Sequence, residues 1–241
     1  MKRCLIIIPA YNEAGSIEKV VDYIRENHPE YDYLVINDGS TDETESICRR
    51  RQYQYVSLPI NLGIGGAVQT GYQYALEYEY DIAVQIDGDG QHNVDYIREM
   101  VDLIESGEAD AVIGSRFVNK EGFQSSIGRR IGIQFLSRLL QVLCFRRIKD
   151  VTSGFRAMDR RFIEIFARDY PSDYPEPETI MAVHMHGGVI HEIPVVMNER
   201  MEGTSSINAV KSIYYMVKVT LAICIRRLSY GVRRDRKGVH Q

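Results

Sequence analysis

The chain has 241 residues, of which 44% are apolar, 26% charged and 10% aromatic, with a formal net charge of −4. This composition excludes disorder, collagen and coiled coil, and the length suits one α/β domain that buries its core without staples. Cys4, Cys48, Cys144 and Cys224 stand far apart with no Cys-x-x-Cys pair, which argues against a disulfide framework or a structural zinc and predicts a reducing, cytoplasmic setting.

The first apolar run, Cys4 to Ile8, stops at Pro9 and is followed at once by Asn12 and Glu13. It therefore predicts a strand rather than a signal-peptide core. A helix is predicted over Ser16–Glu26, with Ser16 as cap and Lys19 where a capping-box acid would stand. Strands follow at Tyr33–Asn37, Tyr55–Leu58, Ile82–Ile86 and Ala111–Gly114, each a short run without the alternation of a half-exposed strand. Helical patterns at Thr41–Arg51 (capped by Thr41 or Asp42), Gly65–Glu77 and Val94–Glu105 separate them. Strand and helix alternating at this spacing predict a parallel sheet covered on both faces. Beyond Gly114 the pattern changes to an amphipathic helix at 128–147, an irregular stretch at Asp169–Pro177 with three prolines, a strand at Val189–Val195 and a long helix at Ile207–Leu228.

Charge is distributed unevenly along these elements. Residues 205–241 hold eight Lys or Arg against Asp235 alone, which leaves residues 1–204 at −11. A second basic stretch contains Arg129, Arg130, Arg138, Arg146, Arg147 and Lys149 and no acid. Because these cations flank runs of Leu, Ile, Val and Phe, an anionic membrane surface is expected as partner, and nucleic acid is not. The longest uncharged run in the last helix, Val219–Ile225, is seven residues, far short of the roughly 20 needed to span a bilayer. That helix is expected to lie on a membrane or on a small integral membrane protein, with core packing as the plainer alternative.

In open α/β sheets ligands bind beyond the carboxyl ends of the strands. Here those ends read Pro9-Ala10-Tyr11-Asn12-Glu13, then Asn37-Asp38-Gly39-Ser40, then Asn61-Leu62-Gly63-Ile64-Gly65-Gly66-Ala67, then Asp87-Gly88-Asp89-Gly90-Gln91-His92, then Gly114-Ser115-Arg116. Acids, glycines and one arginine thus meet in a nucleotide-sized crevice. Asp87 and Asp89, two residues apart after a strand, can share one hard divalent cation, with Gln91 as a further oxygen donor. Alone, this motif is equally a solvated turn. The glycine run lacks a dinucleotide fingerprint, since Val68 occupies its last glycine position. Asp38 can accept hydrogen bonds from a base or ribose, or cap the next helix.

Taken in order, PAYNE, NDGSTD, NLGIGGA, DGDGQH, GSR and TSGFR resemble the family 2 glycosyltransferases of GT-A fold. Within them the set resembles the branch of dolichyl-phosphate mannose synthases and bacterial polyprenyl-phosphate glycosyltransferases, over about residues 4–206. The resemblance implies a GT-A catalytic domain at 1–204, with a basic amphipathic helix and tail at 205–241. It implies a nucleotide-sugar donor held by Pro9, Tyr11, Glu13, Ile36, Asp38, Gly63 and Gly88, with Arg116 and Arg200 on its phosphates. It implies Mg²⁺ or Mn²⁺ at Asp87, Asp89 and Gln91, and a polyprenyl phosphate acceptor near Arg129, Arg130, Ser153 and Arg156. Ser206 departs from the mannose synthases, which carry a lysine at that position, so the donor need not be GDP-mannose.

The expected activity is inverting transfer of a hexose or N-acetylhexosamine, UDP- or GDP-linked, at the inner membrane face in cell-envelope polysaccharide synthesis. Asp89 and Arg116 are its expected catalytic residues, and self-association is left open. An ionised phosphate acceptor needs no general base. The competing reading, transfer to a sugar hydroxyl, does need one, and Glu178 is the candidate with Glu176 second. A third reading is a catalytically silent nucleotide-binding subunit, against which Asp87, Asp89 and Arg116 all speak.

Overall fold

The computed structural model describes residues 2–118, 127–173, 175–198 and 216–228, with the backbone alone at 127–129. The chain runs β1 (Cys4–Ala10), α1 (Ile17–Asn27), β2 (Asp32–Asn37), α2 (Thr44–Arg50), β3 (Tyr55–Ser57), α3 (Gly63–Glu77), β4 (Ile82–Gln85), a 3₁₀ turn (Val94–Tyr96), α4 (Ile97–Glu105) and β5 (Ala111–Ser115). It continues through α5 (Ile127–Cys144), β6 (Arg156–Asp159), α6 (Arg160–Arg168), α7 (Pro175–Met185) and β7 (Ile190–Pro194). A last helix, α8, covers 216–228. The boundary expected between residues 204 and 205, and the first part of the helix expected over Ile207–Leu228, lie outside the described residues.

One seven-stranded sheet has the order β3-β2-β1-β4-β6-β5-β7. All neighbours are parallel except β6, which runs antiparallel to both β4 and β5. β1, β4 and β5 are buried on both faces because successive side chains serve two separate cores, whereas the edge strand β3 is only half-buried. Leu5 and Ile7 of β1 join Leu34, Ile36, Ala83 and Ile113 beneath α3, α5, α6, α7 and α8. Cys4, Ile6 and Ile8 join Val35, Val84 and Val112 beneath α1, α2 and α4. Gly71 lets α3 lie directly on β1, since a Cβ there would come within 2.3 Å of Ile7.

Two details of the helix starts differ from expectation. Ser16 precedes α1 but makes no cap bond, and its hydroxyl instead donates to the Glu13 carboxylate at 3.0 Å. Of the two candidates before α2, Asp42 accepts from the Thr44 N–H at 2.9 Å. β6 and α6 were not evident from the sequence pattern. Arg156 interrupts the apolar run Phe155–Met158 with a charge, yet it is the first residue of a buried strand. The irregular stretch expected at Asp169–Pro177 is shorter, because Pro175 already starts α7, a position where its missing N–H costs nothing.

α8 packs on the body of the molecule. Val219 and Ile223 lie in the same core as α5 and α7, and the Met216 sulfur would meet a Cβ on Gly132 at 3.1 Å. Among the described residues no helix is long and apolar enough to cross a membrane.

Candidate active site

The carboxyl ends of β1, β2, β4, β5 and β7 share one edge of the sheet. Because β6 is antiparallel, its amino end and the preceding residues 150–155 arrive at that same edge. The site is therefore built from loops that are distant in sequence and fastened to one another. The loop after β1 is tied to that after β2, with Asn12 N–H donating to Ser40 Oγ at 3.0 Å and Thr41 N–H to Asn12 Oδ1 at 2.8 Å. Asn12 sits at φ 57°, left-handed backbone that Asn tolerates better than most residues. Asp38 is buried, and its Oδ1 accepts from Leu62 N–H at 2.7 Å, drawing in the start of α3. Gly63 is the first residue of that helix.

The loop after β4 is set by its own backbone. Asp89 is 1% exposed, and its Oδ1 accepts from Gln91 N–H at 3.0 Å. Asp87 N–H donates to His92 Nδ1 at 2.9 Å. An amide can only donate, so Nδ1 is unprotonated and Nε2 carries the imidazole hydrogen. That Nε2 lies 3.6 Å from Asp87 Oδ2, while the ring stacks on Phe155 with centroids 5.1 Å apart. His92 thus holds the backbone of Asp87, with its Nε2 beside the carboxylate. Sequence reasoning missed this role, although the Asp-Gly-Asp-Gly-Gln-His run contained the residue. Gly88 lies beside the first loop, since a Cβ there would be 3.3 Å from the Pro9 carbonyl and 3.6 Å from Glu13 Cγ.

Residues 150–155 press on this loop from the other side. A Cβ on Gly154 would stand 3.1 Å from Asp87 Oδ1, so any side chain there would push the carboxylate away. Asp150 is fully buried and binds the Arg116 guanidinium in a fork, with Nε–Oδ2 2.7 Å and Nη2–Oδ1 2.8 Å. Nη2 also donates to Thr152 Oγ1 at 3.1 Å. Burial alone would lower the Arg116 pKa, but the bonds and charge of Asp150, with Asp87 and Glu176 in its field, raise it above the ordinary arginine value. Arg116 is thus a fixed, permanently charged group between Asp87 and the loop before β6.

The surroundings of several expected residues correct their expected roles. Arg156 is 1% exposed and donates to the carbonyls of Ser153 (2.7 Å), Glu176 (2.7 Å) and Val151 (3.3 Å), and to Thr179 Oγ1. It ties the loop before β6 to the start of α7 and is closed off from an acceptor. Ser153 likewise spends its hydroxyl on the Gly114 carbonyl at 2.6 Å. Ile36 is fully buried in the core and presents no atom to a nucleoside. Glu178 lies in the field of Arg226, Asp169, Lys218 and Asp173, and burial holds its pKa above the usual carboxylate value. Glu176, by contrast, acts electrostatically on Arg116 and Arg156. Pro9 is buried and Tyr11 exposed at the crevice edge. The side chain of Arg129 and all of Arg200 lie outside the described residues, although Asn198, two residues before Arg200, donates its N–H to the Gln91 carbonyl at 2.9 Å.

Asp87, Asp89 and Gln91 form a set of hard oxygen donors of the kind that suits Mg²⁺ or Mn²⁺. Among the described residues no group of three or more His, Cys, Asp or Glu could hold a metal ion. A pair of carboxylates fits a cation whose remaining ligands are phosphate oxygens and water, the usual manner of Mg²⁺. Just past Arg116, a cavity of about 670 Å³ opens between Phe117, Val118 and one face of α5. Four of its lining residues, Arg130, Arg138, Arg147 and Lys149, are cations, and among the described residues that line it none is an acid.

The model of the family described as Glycosyl transferase family 2 matches residues 5–166. A polyprenol monophosphomannose synthase of Mycolicibacterium smegmatis is 26% identical over 86% of this chain and 82% of its own length. A UDP-N-acetylglucosamine–dolichyl-phosphate N-acetylglucosaminyltransferase of Methanococcus voltae is 30% identical over 69% of this chain and 73% of its own. An undecaprenyl-phosphate mannosyltransferase of Micrococcus luteus is 29% identical over 86% and 88%. Among solved structures, glucosyl-3-phosphoglycerate synthase of Mycobacterium tuberculosis, in complex with Mn²⁺, UDP and glucosyl-3-phosphoglycerate, superposes with a TM-score of 0.70. It is 20% identical, over 94% of this chain and 80% of that one. The same enzyme has also been solved with Mg²⁺ and UDP. The likeness shows a shared GT-A fold.

Proposed function

The chain belongs to glycosyltransferase family 2, and on that footing we propose that it moves a sugar from a nucleoside-diphosphate sugar to a polyprenyl phosphate at a membrane surface, with inversion. The observation that carries this reading is the cationic cavity beyond Arg116, which Arg130 lines and in which no described lining residue is an acid. It suits an acceptor that arrives as a phosphate anion, and the relatives named for polyprenol, undecaprenyl-phosphate and dolichyl-phosphate chemistry agree with it.

In this reading an acceptor phosphate oxygen bonds to the anomeric carbon as the bond to the leaving diphosphate breaks. The oxygen is ionised at neutral pH, so no side chain has to remove a proton. Arg130, which lines the cavity from the first turn of α5, binds and orients the acceptor phosphate, and arginine suits phosphate through its bidentate fork. Arg116, locked by Asp150, presents a fixed positive charge toward the donor phosphates, so it needs no reorganisation as the diphosphate departs. Tyr11, Glu13 and Asp38 border the nucleoside end. Asp87, Asp89 and Gln91 are the residues that would hold Mg²⁺ or Mn²⁺, whose chemistry is to neutralise negative charge on the diphosphate. Transfer to a sugar hydroxyl would rest on its second candidate base, Glu176, because the charged neighbours of Glu178 include Arg226 and Lys218 of α8.

Attachment to lipid falls to two helices. Ile131, Phe135 and Val142 are exposed on α5, and Val217, Leu221, Ile225 and Leu228 form one exposed stripe on α8. Apolar stripes of this kind beside cations suit a helix lying in the interface. The test is transfer of labelled sugar from a panel of UDP- and GDP-sugars to undecaprenyl phosphate in membranes with Mg²⁺ or Mn²⁺. Label that enters organic solvent and is released by mild acid is expected. Label appearing only on added sugar acceptors would overturn the reading.

A further inference from the structure

The cavity beside α5 holds more positive charge than one acceptor phosphate accounts for. A phosphate monoester carries about −1.5 to −2 at neutral pH, against four cations. Among the described residues none of Arg130, Arg138, Arg147 and Lys149 has an ion-pair partner. The four are also spread out. Arg130 and Arg138 lie on one face of α5, separated by about 12 Å along the helix axis. Arg147 and Lys149 come from the segment that follows α5.

The cavity borders apolar surface along α5. Ile131, Phe135 and Val142 form the stripe of α5 next to the cavity-lining one. Val142 is 70% exposed, and Phe145, between Arg138 and Arg147 in the chain, is 84% exposed. Exposed aromatic and aliphatic groups beside unpaired arginines match the boundary between acyl chains and anionic headgroups.

We propose that Arg138, Arg147 and Lys149 form a second anion site, which takes the phosphodiester headgroup of an anionic bilayer lipid while Arg130 serves the acceptor phosphate. The assignment of the Arg130 end rests on the proposed function; the second site does not. Headgroup binding seats Val142 and Phe145 at acyl depth and sets Arg130, about 12 Å along α5 from Arg138, at the level where a lipid-borne phosphate lies.

The test compares the full-length wild type, the triple variant Arg138→Gln/Arg147→Gln/Lys149→Gln, its charge-preserving counterpart Arg138→Lys/Arg147→Lys, and Arg130→Gln. Three measurements are made on each: co-sedimentation with phosphatidylcholine vesicles with and without phosphatidylglycerol, binding of inorganic phosphate, and transfer to a short-chain, water-soluble polyprenyl phosphate without lipid. Melting temperatures confirm that each variant is folded. The triple variant is expected to lose more than about tenfold of its phosphatidylglycerol-dependent binding. Its KM for the soluble acceptor should stay within about twofold of wild type, and the lysine variant should keep vesicle binding. Arg130→Gln should show the reverse pattern. Unchanged vesicle binding in the triple variant overturns the proposal, including the case where it loses only inorganic phosphate, which would make the site one for free phosphate. A KM rise matching that of Arg130→Gln also overturns it, because all four cations would then serve one phosphate. A wild type that transfers nothing to any polyprenyl phosphate defeats the proposed function, while the vesicle measurement still decides the second site.

Discussion

Glu178 shows how far a residue's neighbours outweigh its sequence context. In Pro175-Glu176-Pro177-Glu178 it has the look of a general base, but the fold turns it toward α8. Its pKa is raised first by burial and then by Asp169 and Asp173, against the opposing charges of Arg226 and Lys218. The folded state therefore holds this proton more tightly than the unfolded chain does. The resulting stabilisation is complete below the ordinary carboxyl value and is lost as pH rises through the raised one. Replacing Glu178 by Gln removes that loss, so the melting temperature of the variant relative to wild type should climb as pH rises from the ordinary carboxyl value through the raised one. Turnover should stay within about threefold, whereas removing a true general base costs roughly 100-fold or more. A loss of that size with donor affinity intact would restore the hydroxyl-acceptor reading.

At the level of elements, the part of the site legible in the sequence was the part built on parallel strands. Their apolar runs and the polar residues at their ends, from Pro9 to Arg116, mark the crevice because each strand carries its own site residues on its own end. What was hidden came from β6, whose direction cannot be read from its residues and whose first residue, Arg156, reads as a surface charge or a phosphate ligand. Only tertiary structure shows the guanidinium enclosed by the carbonyls of Val151, Ser153 and Glu176. His92 was hidden for a related reason, since its partner is a backbone N–H that no spacing reveals. The structural assignment of Arg156 predicts that Arg156→Met, which keeps most of the volume, removes the guanidinium donor from the Val151 and Ser153 carbonyls and leaves the Glu176 carbonyl to the Thr179 hydroxyl. The cost should be about 3 kcal/mol or more, measurable as a lower urea midpoint at unchanged slope. Unchanged stability with a tenfold higher acceptor KM would instead return Arg156 to the acceptor site.

For the whole molecule, the decisive feature is that no single segment contains the site. Asp87 is flanked by His92 of its own loop and by Gly154 from before β6; Gly88 lies by Pro9 and Glu13; Asp38 holds the start of α3; Asp150 holds Arg116. A nucleoside diphosphate lying across these loops finds its partners together only in the folded protein, so its binding energy is added to folding stability. In the proposed function Asp87 and Asp89 would give a divalent cation only two protein carboxylates, which predicts weak binding of metal alone and mutual strengthening of metal and UDP. UDP with Mn²⁺ at about 100-fold above its dissociation constant should add about 2.7 kcal/mol, a rise of roughly 5–10 °C in melting temperature for a domain of this size. Mn²⁺ alone, or UDP with EDTA, should give a small fraction of that shift, and Asp89→Asn should abolish the metal-dependent part while leaving the shift with UDP and EDTA. An equal shift from UDP with and without metal would instead assign the diphosphate to the arginines, and with it the neutralisation of the leaving group to Arg116.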